Sequence, residues 1–370
     1  MHRSRRQFLG VTAGLLAGHA TRRAANASPV ARLAPVRVAP ERVIRTVVGL
    51  RPYRPSGFVV RGEKLDGKTV IHNYGHGGAG ITLSWGTAQL AVAEAAKVET
   101  RQCAVIGCGV VGLSTARLLQ QRGYTVSIYA KAMPPDTTSN IAGGLWDPVT
   151  VYDHTRVTPE FNRQFGEAGR FAFRRYQSMV GETYGVRWLP YYLLSRDSAL
   201  NPAPPDSPYS QIEPLYPDAK QLSPDEHPFD VPYAYRRYSM LIEPAIYLNA
   251  LMRDFYLAGG RIWVREFREA RQLISVRETL IFNCTGLGAR ALFHDKELVP
   301  VRGQLSFLLP QPEVDYMTGG PNDIYMFPRR DGILLGGTHQ RGEFSIEPDP
   351  ADTERILREN GALFAGMREG

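Results

Sequence analysis

Cys103-Ala104-Val105-Ile106 runs straight into Gly107-Cys108-Gly109-Val110-Val111-Gly112, and Val111 to Gln121 then has helical spacing until Arg122-Gly123 stops it. An apolar strand, a glycine turn and a helix in this order leave few folds open, because together they form the phosphate-binding corner of a parallel α/β sheet. Gly107 permits the tight turn, Gly109 lets a pyrophosphate approach the backbone, and Gly112 allows close packing of helix on strand. The amides at the helix start, Val110 and Val111, then face the phosphates. The second strand, Thr125 to Tyr129, ends at Ala130-Lys131, where an acidic residue would normally hold the adenosine ribose. Lys131 departs from that pattern and, taken alone, favours a 2′-phosphorylated nicotinamide cofactor.

Other segments argue for a flavin. Pro135-Asp136-Thr137-Thr138-Ser139-Asn140-Ile141-Ala142-Gly143-Gly144-Leu145-Trp146 resembles the flavin-contacting stretch of the D-amino-acid oxidase family, and Leu280 to Gly286 resembles the later strand ending beside the cofactor. Gly49-Leu50-Arg51-Pro52-Tyr53-Arg54-Pro55 and the run from His72 to Gly80 are similar to the family's closing segments. The resemblance implies FAD as cofactor and an α/β (α+β) fold, with a Rossmann-like FAD-binding domain beside a second, mixed-sheet substrate domain. The implied FAD contacts are the glycine loop with Lys131, Thr137, Thr138, Ser139, Gly143, Gly144, Leu145, Thr285 and Gly286. Gly77, Gly78, Gly80, Ile81 and Thr82 complete the set, with dense glycine letting backbone reach a ligand.

In that family the glycine loop stands near the start of the chain and the other two segments near its end. Here the order is reversed, and it reads as a circular permutation. Packing depends on which elements touch, and the ends of compact domains usually lie close together at the surface. The family's last helix, Trp85 to Lys97, is then joined to its first strand through Val98 to Gln102, and the new break falls after Gly370. The alternative is a rearranged gene whose product does not fold. On this reading residues 50–150 and 239–300 form the FAD-binding domain, and 42–49, 151–238 and 301–370 the substrate domain.

Residues 1–27 hold Ser4-Arg5-Arg6-Gln7-Phe8-Leu9, an apolar stretch from Val11 to Ala20, and Ala25-Asn26-Ala27. That is the pattern of a twin-arginine export signal, which implies the export machinery as a partner and a periplasmic or secreted destination. The apolar stretch is too short to anchor in a bilayer. A basic arm that binds nucleic acid is the competing reading. The leader's five arginines carry much of the formal charge of +8, leaving +3, so the remainder implies no nucleic-acid partner. Residues 28–41, rich in Ala, Pro and Arg, read as a flexible linker. Cys103, Cys108 and Cys284 lie on or beside apolar strands and suggest neither disulfide nor metal.

The substrate half alternates aromatic strands, such as Trp188 to Leu194, with Pro-rich loops, notably Asn201 to Pro217, and a helix from Ala245 to Ala258 returns the chain to the nucleotide half. Chemistry is expected at Arg51, Tyr325 and Gly78. A planar guanidinium fixes a carboxylate through two parallel hydrogen bonds, and Arg51 fits that role; an interdomain salt bridge is its alternative. The resemblance implies that the Tyr325 hydroxyl shares the carboxylate and that the Gly78 carbonyl accepts from the substrate amine. Arg54 reads as structural. His72 and His76 lack a third ligand at suitable spacing for a metal. Catalysis would then be positioning, with hydride passing to flavin N5 and electrons on to dioxygen. An inert flavin-binding protein is the competing class.

The family includes oxidases of neutral D-amino acids and of D-aspartate. Val48 to Pro55 and Leu335-Gly336-Gly337-Thr338-His339-Gln340-Arg341-Gly342 look closer to the latter, yet His339 and Thr318 stand where that branch places arginines. Without a bidentate partner a second carboxylate is held less well, which favours neutral D-amino acids. His339 would bind an acidic side chain if protonated, or is simply a neutral packing residue. Pro321 stands near the place of a lid tyrosine, implying a more open cleft.

Overall fold

The computed structural model describes residues 32–368, so the leader and the first residues of the expected linker lie outside the described part. In chain order the strands and helices begin β1 (Val43–Tyr53), β2 (Val59–Leu65), β3 (Lys68–Tyr74), α1 (Gly80–Ala95), β4 (Gln102–Ile106), α2 (Val110–Gln121), β5 (Thr125–Ala130), α3 (Thr138–Ile141) and α4 (Pro159–Gln177). They continue with β6 (Val186–Ser195), β7 (Lys220–Leu222), β8 (Tyr233–Ile242), α5 (Pro244–Leu257), β9 (Arg261–Val264), β10 (Leu280–Asn283) and α6 (Ala289–Leu292). The last are β11 (Val299–Leu308), β12 (Met317–Gly319), β13 (Tyr325–Arg329), β14 (Gly332–Gly336), β15 (Gln340–Arg341) and α7 (Pro350–Ala365).

Two sheets result. The smaller has the order β2-β3-β10-β4-β5-β9, with β3, β10, β4, β5 and β9 parallel and β2 antiparallel at one edge. Strict alternation on β4 explains why it is buried on both faces: Cys103 and Val105 pack beneath the helices α1, α2, α4 and α5, while Ala104 and Ile106 join Val70, Ile281 and Leu292 on the other face. The connection leaves β4 toward β5 on one side, while β10 lies on the other. That is the switch point at which such sheets bind ligands beyond the strand ends. Gly112 is needed there, since a Cβ on it would collide with the Gly107 carbonyl and lift α2 off the strand.

The larger sheet has the order β1-β11-β14-β13-β12-β6-β8-β7, with β15 beside β11. Its outer face packs against α7 through Ile356, Leu363 and Phe364, and its inner face carries Leu189, Tyr191, Leu305 and Phe327 toward the nucleotide half. Helix α4 starts cleanly because the Thr158 side chain accepts from the Phe161 amide.

Several boundaries differ from those read in the sequence. Helix α1 begins at Gly80 rather than Trp85, because it is buried along most of its first half and its stability comes from packing rather than propensity. Strands β1 and β8 run unbroken through positions 50 and 239, so the change of sheet falls after Tyr53 and after Ile242. Residues 32–41 are not a loose linker. Val36 is buried with α7, and the Tyr316 hydroxyl donates to the Ala34 carbonyl at 2.8 Å and contacts Met367 Sδ at 3.8 Å, so the described ends of the chain meet at one side chain.

Candidate active site

Arg51 projects from β1 across β11 because Gly303 provides the room: a Cβ there would lie 2.6 Å from Nη2 and 2.7 Å from Cζ of Arg51. The next two strands repeat the device. A Cβ on Gly336 of β14 would run into the Tyr325 ring, which reaches back from β13 over that glycine. The two side chains therefore meet above the sheet, with Arg51 Nη2 donating to the Tyr325 hydroxyl at 3.3 Å and Nη1 to the Thr338 carbonyl at 3.2 Å. Among the described residues no carboxylate pairs with Arg51, which removes the interdomain salt bridge as its role. Arg54 takes that structural part, bonding Asp295 at 3.0 Å and Glu297 at 2.6 Å.

Arg51, Tyr325, Gly78, Ile81, Gly143, Gly144, Leu145 and His339 line one cavity of about 570 Å³ between the two sheets. The separated sequence segments thus converge. The nucleotide loop stands at the C-terminal end of β4, with Ser139 accepting from the Val110 amide at 3.0 Å, so Gly107, Gly109, Val110, Val111 and Ser139 share one corner. Thr138 opens α3, Thr285 and Gly286 follow β10, and exposed Lys131 follows β5.

Some expected cofactor contacts are spent on the protein itself. Thr82 donates to the Asp147 and Leu145 carbonyls at 3.2 and 3.3 Å, and the Gly78 amide donates to the Thr150 carbonyl at 3.1 Å. Gly77 and Gly144 lack side chains because the backbone at Thr150 and Ile242 presses against them. Thr137 bonds Asn140 at 2.8 Å, and Thr285 bonds Asn283 at 2.7 Å. These residues shape the cradle, leaving the α2 amides beyond Val110, whose own amide bonds Ser139, and the Ala142–Leu145 backbone as the surfaces a flavin nucleotide would meet.

His72 and His76 are buried away from this cavity. His76 bonds Thr87 at 2.8 Å, and burial pushes its pKa down to about 3. His72 lies against Asn283 and Glu63, at 3.0 and 3.2 Å, with burial lowering its pKa. His339 lies in the cavity wall, where burial and then the Arg51 charge push its pKa down to about 4. It is therefore neutral near pH 7. Thr318 is buried on β12 with an unpartnered hydroxyl. The three cysteines are free, buried thiols pushed up to about 12 by burial, unreactive as nucleophiles.

A second polar group had no signal in the sequence. Asp147, in the cavity wall, pairs with buried Arg237 of β8 at 2.6 Å and accepts from the Tyr209 and Tyr216 hydroxyls at 3.0 and 2.8 Å. The Arg237 guanidinium also stacks 3.7 Å from the Tyr216 ring. Both tyrosines come from the Pro-rich loop, and only folding brings them to Asp147. The helping glycines 303 and 336 were equally silent.

Comparison with known proteins agrees with this architecture. A D-amino-acid oxidase of Rubrobacter xylanophilus is 31% identical over 280 residues, covering 71% of this chain and 77% of that protein, and a D-aspartate oxidase of Homo sapiens is 28% identical over 270 residues, covering 72% and 76%. The glycine oxidase structure of Geobacillus kaustophilus shares the fold with a TM-score of 0.52 and 17% identity, covering 73% of this chain and 81% of that one. The family described as DAO, FAD dependent oxidoreductase, matches residues 7–94 and 102–369, two stretches that contain the glycine loop, the cavity glycines and the paired Arg51 and Tyr325. The chain belongs to that FAD-dependent oxidoreductase family, and FAD is its cofactor.

Proposed function

We propose that the protein oxidises neutral D-amino acids to 2-oxo acids, with ammonia and hydrogen peroxide as the other products. The observation that carries this reading is the meeting of Arg51 and Tyr325 above Gly303 and Gly336, facing Gly78 and the Ala142–Leu145 backbone across one cavity. The Arg51 fork holds the substrate carboxylate, because its planar donors match two oxygens and it has no acid of its own to neutralise it. The Tyr325 hydroxyl adds a third donor. The Gly78 carbonyl accepts from the amine, which fixes the α-carbon between the two sheets. The cradle of α2, the Thr137–Ser139 segment and Ala142–Leu145 would hold FAD, with the α2 amides toward its phosphates. When bound, FAD supplies the two-electron acceptor that takes the α-hydrogen with its electron pair and returns both electrons to dioxygen. No side chain needs to act as a base if the amine is neutral, so the protein's contribution is orientation.

Neutral side chains are favoured by charge. Among the described residues of the cavity wall Arg51 is the sole lysine or arginine, Asp147 and Asp323 are acidic, and His339 is uncharged near pH 7. A second carboxylate would enter without a cation to meet it. Anaerobic addition of D-alanine tests the reading: the flavin should bleach with the D isomer and keep its colour with the L isomer. A flavin untouched by D-alanine and D-leucine would sink it, and faster turnover of D-aspartate than D-asparagine would sink the preference for neutral side chains.

Two further readings remain ours. The reversed order of segments is a circular permutation, supported by the contact of Tyr316 with both Ala34 and Met367. Arg5-Arg6 directs export of the folded, FAD-loaded protein; replacement of both by lysine should keep it in the cytoplasm, and unchanged export would refute that role.

A further inference from the structure

Tyr191 lies on β6 with its ring toward the cavity, on the same face as Leu189 and Leu193, while Tyr192 and Leu194 turn to the opposite core by the alternation of the strand. It is 6% exposed and lines the same cavity as Arg51 and Tyr325. Its hydroxyl makes no hydrogen bond among the described residues, and the oxygen keeps access to the open cavity that the residue lines. Gly319 keeps it there: a Cβ on Gly319 would lie 2.5 Å from the Tyr191 hydroxyl oxygen. On the partner strand Arg237 stands 5.4 Å from the Tyr191 ring, but its charge is already matched by Asp147.

Once a substrate fills the cavity and excludes water, a phenol left without a partner is costly, whereas a ligand acceptor repays its desolvation. Burial, with the Asp147 charge next, raises its pKa well above the ordinary tyrosine value, so it stays protonated and donates. Ion pairing settles which acceptor suits it. The neighbouring cation is neutralised and the neighbouring acid repels a carboxylate, so a neutral carbonyl or hydroxyl oxygen is the fitting partner.

We propose that Tyr191 is a specificity-determining residue that donates to a neutral acceptor on the substrate's side chain, so that the site prefers D-amino acids ending in a carboxamide over their apolar isosteres. The proposal rests on the oxidase reading and deepens it. A site built to hydrogen-bond a polar group discriminates against the analogue lacking it because the buried donor is then unpaired.

The test compares D-glutamine with its isostere D-homoleucine on the FAD-loaded enzyme. The wild type should show a ratio of kcat/KM favouring D-glutamine, and Tyr191→Phe should lower that ratio about tenfold, the worth of one neutral hydrogen bond. Gly319→Ala, which displaces the hydroxyl while leaving Tyr191 in the sequence, should lower it in the same direction. A readout free of turnover uses glutaramate and its isosteric branched fatty acid, which lack the α-amine: calorimetry should show the preference for glutaramate in the wild type and its loss in Tyr191→Phe. An equal D-glutamine to D-homoleucine ratio in wild type and both variants, or equal binding of the two acids by wild type, overturns the proposal. A flavin reduced by no D-amino acid overturns the oxidase reading, and the binding comparison then decides Tyr191 by itself.

Discussion

Gly303→Ala should disable the enzyme without unfolding it. The new methyl would sit 2.6 Å from Nη2 and 2.7 Å from Cζ of Arg51, where ordinary contact starts at 3.4 Å, so the guanidinium must retreat by about 0.7 Å or more. The obstructed atoms are the far end of a long side chain that no carboxylate holds among the described residues. The fold can therefore yield at small cost, below the 1–3 kcal/mol or so of overpacking a rigid core. Position is less forgiving: a displacement of about 1 Å from a productive pose costs on the order of 100-fold in rate, which scales to roughly 30-fold for a shift of this size. The assay is peroxide release from D-alanine, with FAD content from the visible spectrum and melting temperature as controls. The expected result is a drop of about 30-fold or more in kcat/KM, with full flavin content and a melting temperature close to that of the wild type. Wild-type kcat/KM in a folded, flavin-loaded Gly303→Ala protein would refute the claim that the Arg51 fork holds the substrate carboxylate.

Tyr325→Phe removes one donor to a charged group and should lower kcat/KM on D-alanine by roughly 10- to 100-fold; an unchanged value excludes the phenol from the site. A relinked chain beginning near Thr100, with Arg368 joined through a short flexible linker to residue 34 and ending after Lys97, should fold and bind FAD, and an insoluble or colourless product would count against the permutation. Buried His76 and the more exposed His339, whose share solvent screening reduces, have pKa values lowered to about 3 and about 4, so between those values and 6.5 the unfolded chain binds more protons than the native one. Their stabilising contribution is complete above pH 6.5 and is lost as pH falls toward the folded values. The urea midpoint should therefore decline from pH 7 to pH 4.5, above the range of the lowered Asp295 and Asp331 carboxyls, and a flat midpoint over that interval would contradict it.

Local pattern made the nucleotide corner legible because β4, its glycine turn and α2 are contiguous, and steric demands at Gly107 and Gly112 are written into neighbouring residues. Arg51 and Tyr325 were legible one at a time, each from its own short segment. Their meeting was not, since 274 positions separate them and the two glycines that permit it stand on intervening strands. The contacts of Thr82 and Gly77 with the 145–150 backbone were hidden for a related reason: a hydroxyl or a glycine beside a cofactor loop can also serve a neighbouring strand or turn, and that neighbour is distant in the chain.

The sequence by itself determined the strand–turn–helix corner, the alternation that sorts each strand's side chains between two faces, and the identity of the carboxylate-binding candidates, because these depend on neighbours within a few residues. Tertiary structure alone decided what those groups can do. It emptied the space above Gly303 and Gly336, neutralised Arg237 with Asp147, left the Tyr191 hydroxyl in the cavity wall unpaired, and set His339 where desolvation and the Arg51 charge disfavour its protonated form. Desolvation and packing across a sheet are properties of residues far apart in the chain, and no local pattern encodes them.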